Sequence, residues 1–124
     1  EAGLKRLGLS DRIAYRFSPE ELVPAAGQGI LAIQIRAGEY ADLLARLNSP
    51  DGALCAKTER QLASLLGGDC SAPVGCHAQL HGTDMTLYGF SGIGGVPRYG
   101  SVQGNRNDAD LLVQQLASKL TITE

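Results

Sequence analysis

The second half of the chain carries the clearest patterning. From Ser49-Pro50-Asp51 to about Leu66 a helical period runs through Leu54, Thr58, Leu62, Leu65 and Leu66, with Ser49 as its cap and Gly67-Gly68 as its stop. The period then changes to two. Val74, Cys76, Ala78 and Leu80 fall on one side, and Gly75, His77, Gln79 and His81 on the other, as in a half-buried strand. Gly82-Thr83-Asp84 reads as a turn, so Met85 to Ser91 is its hairpin partner. Gly92, Gly94 and Gly95 mark a further turn before a third strand over about Arg98 to Gly104. Asn107-Asp108 caps a last helix, with Ala109, Leu112, Val113, Leu116, Ala117 and Leu120 on one face. Helix, three strands and helix predict an α+β fold: a three-stranded antiparallel sheet covered on one face by helices.

The first half is less regular. Glu1 to Leu7 reads as the end of a helix closed by Gly8, and Arg12 to Phe17 as a short strand. Ser18-Pro19-Glu20-Glu21-Leu22 suits one capped helical turn. Pro24 to Gly29 reads as a flexible connector. Ile30-Leu31-Ala32-Ile33-Gln34-Ile35 is nearly all apolar, the pattern of a strand buried on both faces of a helix-covered sheet. The residues before it do not supply the neighbouring strands such a sheet needs. From Glu39 a helix is expected, with Tyr40, Leu43, Leu44 and Leu47 on its apolar face.

Composition narrows the function classes. The chain has 124 residues and a net charge of -2, with its basic residues scattered. Nucleic-acid binding would draw on a concentrated basic surface, and no apolar run is long enough to span a bilayer, so neither a nucleic acid nor a membrane is expected as a partner. The chain begins at Glu1 without a methionine, which suggests a piece of something longer. Its three cysteines, an odd number, fit a reducing cytoplasm better than a disulfide framework.

Cys70 is the cysteine that packing does not explain. It follows Leu66-Gly67-Gly68-Asp69 and precedes Ser71-Ala72-Pro73, a bend that presents a thiol. Two readings stay open for it, a nucleophilic anchor and an incidental exposed cysteine, and the neighbouring Asp69 disfavours the thiolate. Cys55 and Cys76 fall on apolar faces and read as small core residues. A zinc site at Cys70, Cys76, His77 and His81 competes, but no Cys-x-x-Cys is present, and Cys76 and His77 would point to opposite faces of one strand. No metal site is therefore assigned. Gly27-Gln28-Gly29 matches half of a dinucleotide fingerprint and reads better as a hinge. Lys5 and Arg6 read either as favourable charges at a helix C-terminus or as ligand contacts.

Four segments, in order, resemble the porphobilinogen deaminase (hydroxymethylbilane synthase) family over Ala2 to Leu120. They are Ala2-Gly3-Leu4-Lys5-Arg6-Leu7-Gly8, the Pro24-Ala25-Ala26-Gly27-Gln28-Gly29 crossing, Lys57-Thr58-Glu59-Arg60, and the loop from Leu66 to Gly75. The resemblance implies a C-terminal portion of such an enzyme. Residues 1–22 would be the tail of the second α/β domain, and 23–48 a hinge crossing that completes the first. Residues 49–124 would form the C-terminal cofactor-anchoring domain. The small α+β domain would thus be preceded by a remnant of the α/β cleft domains.

The resemblance also implies an activity, the joining of four porphobilinogen units with loss of ammonia on a dipyrromethane primer. Porphobilinogen, the growing linear pyrrole chain and the N-terminal part of the same enzyme would be the partners. Cys70 matches the cysteine that holds dipyrromethane by a thioether, a bond suited to a soft thiolate and an electron-poor carbon. Arg6 matches a cleft arginine that holds pyrrole carboxylates, which favours ligand contact over the helix-end reading. Gln28 matches a cleft-lining hinge glutamine. The family commonly has glycine where this chain has Asp69. Its proton-transferring aspartate lies in earlier sequence, so no catalytic residue is expected here. The alternative is a non-enzymatic tetrapyrrole- or metal-binding module.

Overall fold

The computed structural model of the chain describes residues 1–67 and 71–121. Four helices, α1 (Ala2–Arg6), α2 (Ala41–Leu47), α3 (Pro50–Leu65) and α4 (Ala109–Leu120), accompany three strands, β1 (Val74–His81), β2 (Asp84–Ser91) and β3 (Arg98–Asn105). The strands form one antiparallel sheet in the order β1-β2-β3. His81 pairs with Asp84 across the first hairpin, and Gly82 takes the positive φ (63°) that a two-residue hairpin turn requires. The α+β reading of the second half therefore holds.

Helices α3 and α4 lie on one face of this sheet. Cys76 and Ala78 from β1, and Met85 and Leu87 from β2, meet Leu62 and Leu66 from α3 and Leu112, Val113, Leu116 and Leu120 from α4. All six residues expected on the last helix's apolar face are buried. Three glycines let α4 approach. A Cβ on Gly89 would stand 2.5 Å from Leu120 Cδ1, and one on Gly100 or Gly104 would crowd Leu116 or Leu112. Ser49 caps α3 as predicted, its hydroxyl accepting from the Gly52 amide at 3.1 Å. The last helix departs slightly: the capping side chain is Asn105, which accepts from the Asn107 amide ahead of a short 3-10 turn (Arg106–Asp108). Arg106 pairs with Asp51, tying the starts of α3 and α4 together.

Residues 1–48 contribute no buried residue. Gly8, with φ of 70°, ends the first helical segment as expected. Ser18 and Glu21 form a reciprocal cap. The Ser18 amide donates to Glu21 Oε2 at 2.8 Å, and the Glu21 amide donates to Ser18 Oγ at 3.3 Å. Four expectations fail. Arg12–Phe17 makes no strand, and neither does Ile30–Ile35, where Leu31 is 93% exposed. A strand needs a ladder partner, and among the described residues neither segment has one. Of the apolar face expected on α2, only Leu44 is half-buried, whereas Tyr40, Leu43 and Leu47 face solvent. Leu65 of α3 is likewise exposed, because it lies outside the stripe that meets the sheet.

Candidate functional site

The crossing segment, read from sequence as a flexible connector, is docked on the sheet. β1 is an edge strand, and its outward amides need partners. The Cys76 amide donates to the Pro24 carbonyl at 2.8 Å. Two residues on, the Ala78 amide donates to Glu59 Oε1 at 2.8 Å. The other oxygen, Glu59 Oε2, accepts from the Gly27 amide at 2.7 Å. Val23 fills the space over Gly75 so closely that a Cβ there would lie 2.6 Å from the Val23 carbonyl oxygen. Ala26 packs against the domain core.

Glu59 is thus the centre of the junction. It is 2% exposed, and His77 Nδ1 lies 3.4 Å from its Oε1. Burial pushes its carboxyl up. Hydrogen bonds from His77, Ala78 and Gly27 outweigh that and leave it below its ordinary value, so it is ionised near neutral pH. His77 is held between this carboxylate and the Tyr88 ring, with centroids 6.5 Å apart, and is less open than a solvent-facing strand histidine. Sequence reasoning placed Glu59 within a motif and gave it no role. The signal was available, because Cys55, Glu59, Leu62 and Leu66 share one helical stripe, and an acid on an apolar stripe calls for partners.

Cys76 is fully buried, and its thiol is pushed up to about 12 by burial and by Glu59. Cys55, half-buried, is raised for the same reasons. Both are free thiols held protonated, as core residues should be. Cys70 and Asp69 lie outside the described residues. The ends of their loop are described: Leu66 is buried in the core, and Val74 begins β1 beside the docked crossing.

Gln28 sits in the turn that Glu59 holds, between Gly27 and Gly29, both at positive φ. Its Oε1 accepts from the Ala25 amide at 3.3 Å. It lines a groove of about 680 Å³ together with Arg12, Tyr15, Arg16, Phe17 and Pro24. The Tyr15 and Phe17 rings meet edge to face at 5.1 Å. Arg16 Nε pairs with Glu1 at 3.0 Å. Arg6, in the last turn of α1, is exposed and outside this groove. Among the described residues no group of His, Cys, Asp and Glu side chains is placed to hold a metal. Cys76 faces the helices while His77 faces the open side of the sheet. No helix among them is long and apolar enough to cross a membrane.

Two family models account for most of the chain. Residues 1–43 match "Porphobilinogen deaminase, dipyromethane cofactor binding domain", and residues 53–121 match "Porphobilinogen deaminase, C-terminal domain". The chain belongs to the porphobilinogen deaminase family. Porphobilinogen deaminases of Thiobacillus denitrificans and Chromobacterium violaceum are 44% and 46% identical to it over 123 residues, and that of Coxiella burnetii is 37% identical. Each alignment covers 96% of this chain and 40% of the relative. The chain thus spans about 40% of the length of the curated porphobilinogen deaminases it matches. The boundary between the two family matches falls in residues 44–52, between the exposed first part and the α3–sheet–α4 unit.

Proposed function

We propose that this chain is the C-terminal, cofactor-anchoring part of a hydroxymethylbilane synthase, which joins four porphobilinogen units with loss of ammonia in tetrapyrrole biosynthesis. The observation that carries the reading is the junction of the crossing with the C-terminal domain. There a deaminase-like hinge turn bearing Gln28 is bonded to the strand that leaves the Cys70 loop. Residues 1–22 are the tail of the second domain, 23–48 the return to the first, and 49–124 the third. The exposed apolar run at Ile30–Ile35 supports this division, since a strand with that pattern finds its ladder partners in a first domain completed by earlier sequence.

When bound, dipyrromethane supplies the pyrrole terminus on which each porphobilinogen unit is added. The Cys70 thiolate holds it by a thioether, which outlasts every addition where an ester of Ser or Asp would risk hydrolysis. Pyrroles bearing acetate and propionate suit the donors in this part of the chain. The Gln28 groove brings guanidinium groups and aromatic rings together, and Arg6, outside that groove, adds an exposed fork for a carboxylate. No residue of this chain is assigned to proton transfer. The free thiols of Cys55 and Cys76 support a reducing cytoplasm as the compartment.

Intact mass spectrometry of the full-length enzyme tests the anchor. The wild type carries an added dipyrromethane, and Cys70→Ser lacks it. An active enzyme whose mass is the bare chain's would overturn the assignment. The 124-residue chain alone, incubated with porphobilinogen, should form no hydroxymethylbilane.

A further inference from the structure

Glu59 joins three pieces of the molecule that are distant in sequence. It projects from α3, caps the free edge of β1 through the Ala78 amide, and holds the hinge turn through the Gly27 amide. One carboxylate has two oxygens and two amide donors, so the charge is shared between the domain edge and the hinge. An apolar residue at this helix position would leave both amide donors without this acceptor. His77 adds a third contact from the open side of the sheet. Val23 against Gly75 and Pro24 against Cys76 continue the same seam on the hinge side. The seam reaches β1 just where the chain leaves the Cys70 loop.

We propose that Glu59 is a positioning residue that latches the Gly27-Gln28-Gly29 turn to the C-terminal domain. This holds Gln28 in a constant place relative to the start of β1 while the rest of the first domain shifts around a lengthening pyrrole chain. The proposal rests on the function proposed above and assigns a task to a group outside the pyrrole-binding set. It also makes the hinge one-sided. Gly27 is fixed, and motion is left to Gly29 and the unpaired run beyond it.

Glu59→Gln keeps the volume but has one acceptor oxygen for two amides, so one of them faces an NH2 group. Hydrogen exchange on the 124-residue chain should show protection of the Gly27 amide falling by about tenfold or more through local opening, while the β2 amides report the change in global stability. In the full-length holoenzyme, intact mass under limiting porphobilinogen should show the primer present. Species carrying two or three added units should accumulate about threefold or more over wild type, because a loosened turn hinders the later additions. Unchanged Gly27 protection overturns the latch. Lost protection with a wild-type distribution of intermediates overturns the positioning role. If E59Q does not fold, an amide-to-ester replacement of the Gly27 N–H removes the hinge bond alone and should give the same accumulation. A wild-type enzyme that shows no stepwise mass gain refutes the proposed function instead, and leaves the exchange result to decide the latch.

Discussion

Glu59 also sets a pH dependence at the scale of one side chain. Its carboxyl lies below the ordinary 4.5 in the folded chain despite burial, because Gly27, Ala78 and His77 bond to its ionised form. A depressed folded value means that its contribution is fully present above the unfolded value and is lost as pH falls through the folded one. Urea unfolding of wild type and E59Q should therefore differ by about 2–4 kcal/mol at pH 7, the scale of a buried charge-assisted pair of hydrogen bonds. The gap should narrow below pH 4.5, and a gap that widens on acidification would contradict the assignment. The two described cysteines behave as their positions in the pattern predicted. Glu59 itself received no role from the sequence, because period and composition mark an acid on an apolar stripe without saying which distant amides reach it.

At the scale of elements, α4 rests on a glycine floor. Gly89 and Gly100 pair across β2 and β3 beneath Leu116 and Leu120. An added methyl at Gly89 meets Leu120 Cδ1 at 2.5 Å and Leu116 Cδ2 at 3.1 Å, whereas one at Gly100 meets Leu116 Cδ1 at 3.1 Å. Both contacts are with side chains that can yield, so overpacking rather than unfolding is expected. Gly89→Ala should cost about 1–3 kcal/mol and Gly100→Ala less, as read from thermal midpoints. The reverse order would show that α4 settles differently on the sheet. Elements α3, β1, β2, β3 and α4 were legible in the sequence because each carries its own period, cap and stop. Arg12–Phe17 and Ile30–Ile35 form no strand among the described residues, because strand composition does not provide a ladder partner.

For the molecule as a whole, burial is uneven. Among the described residues every buried side chain lies at or after Thr58, while in the first part Pro24 and Gly27 bond to Cys76 of β1 and Glu59 of α3. Brief trypsin treatment should therefore cut at exposed Arg12, Arg16 and Arg36 well before Arg98 or Arg106, leaving a resistant piece that contains α3, the sheet and α4. Early cleavage within the β2–β3 hairpin would contradict this order. The sequence by itself determined the α+β unit, its antiparallel hairpins, the inward face of α4 and the inert placement of Cys55 and Cys76. These follow from local period and capping, which act over a few residues. Only the tertiary structure decided that the crossing is pinned, that Glu59 pins it, and that Gln28 shares a groove with Arg12 and Arg16. Those facts depend on partners 19 and 32 residues from Glu59 and on the unpaired edge of one strand, which no local pattern encodes.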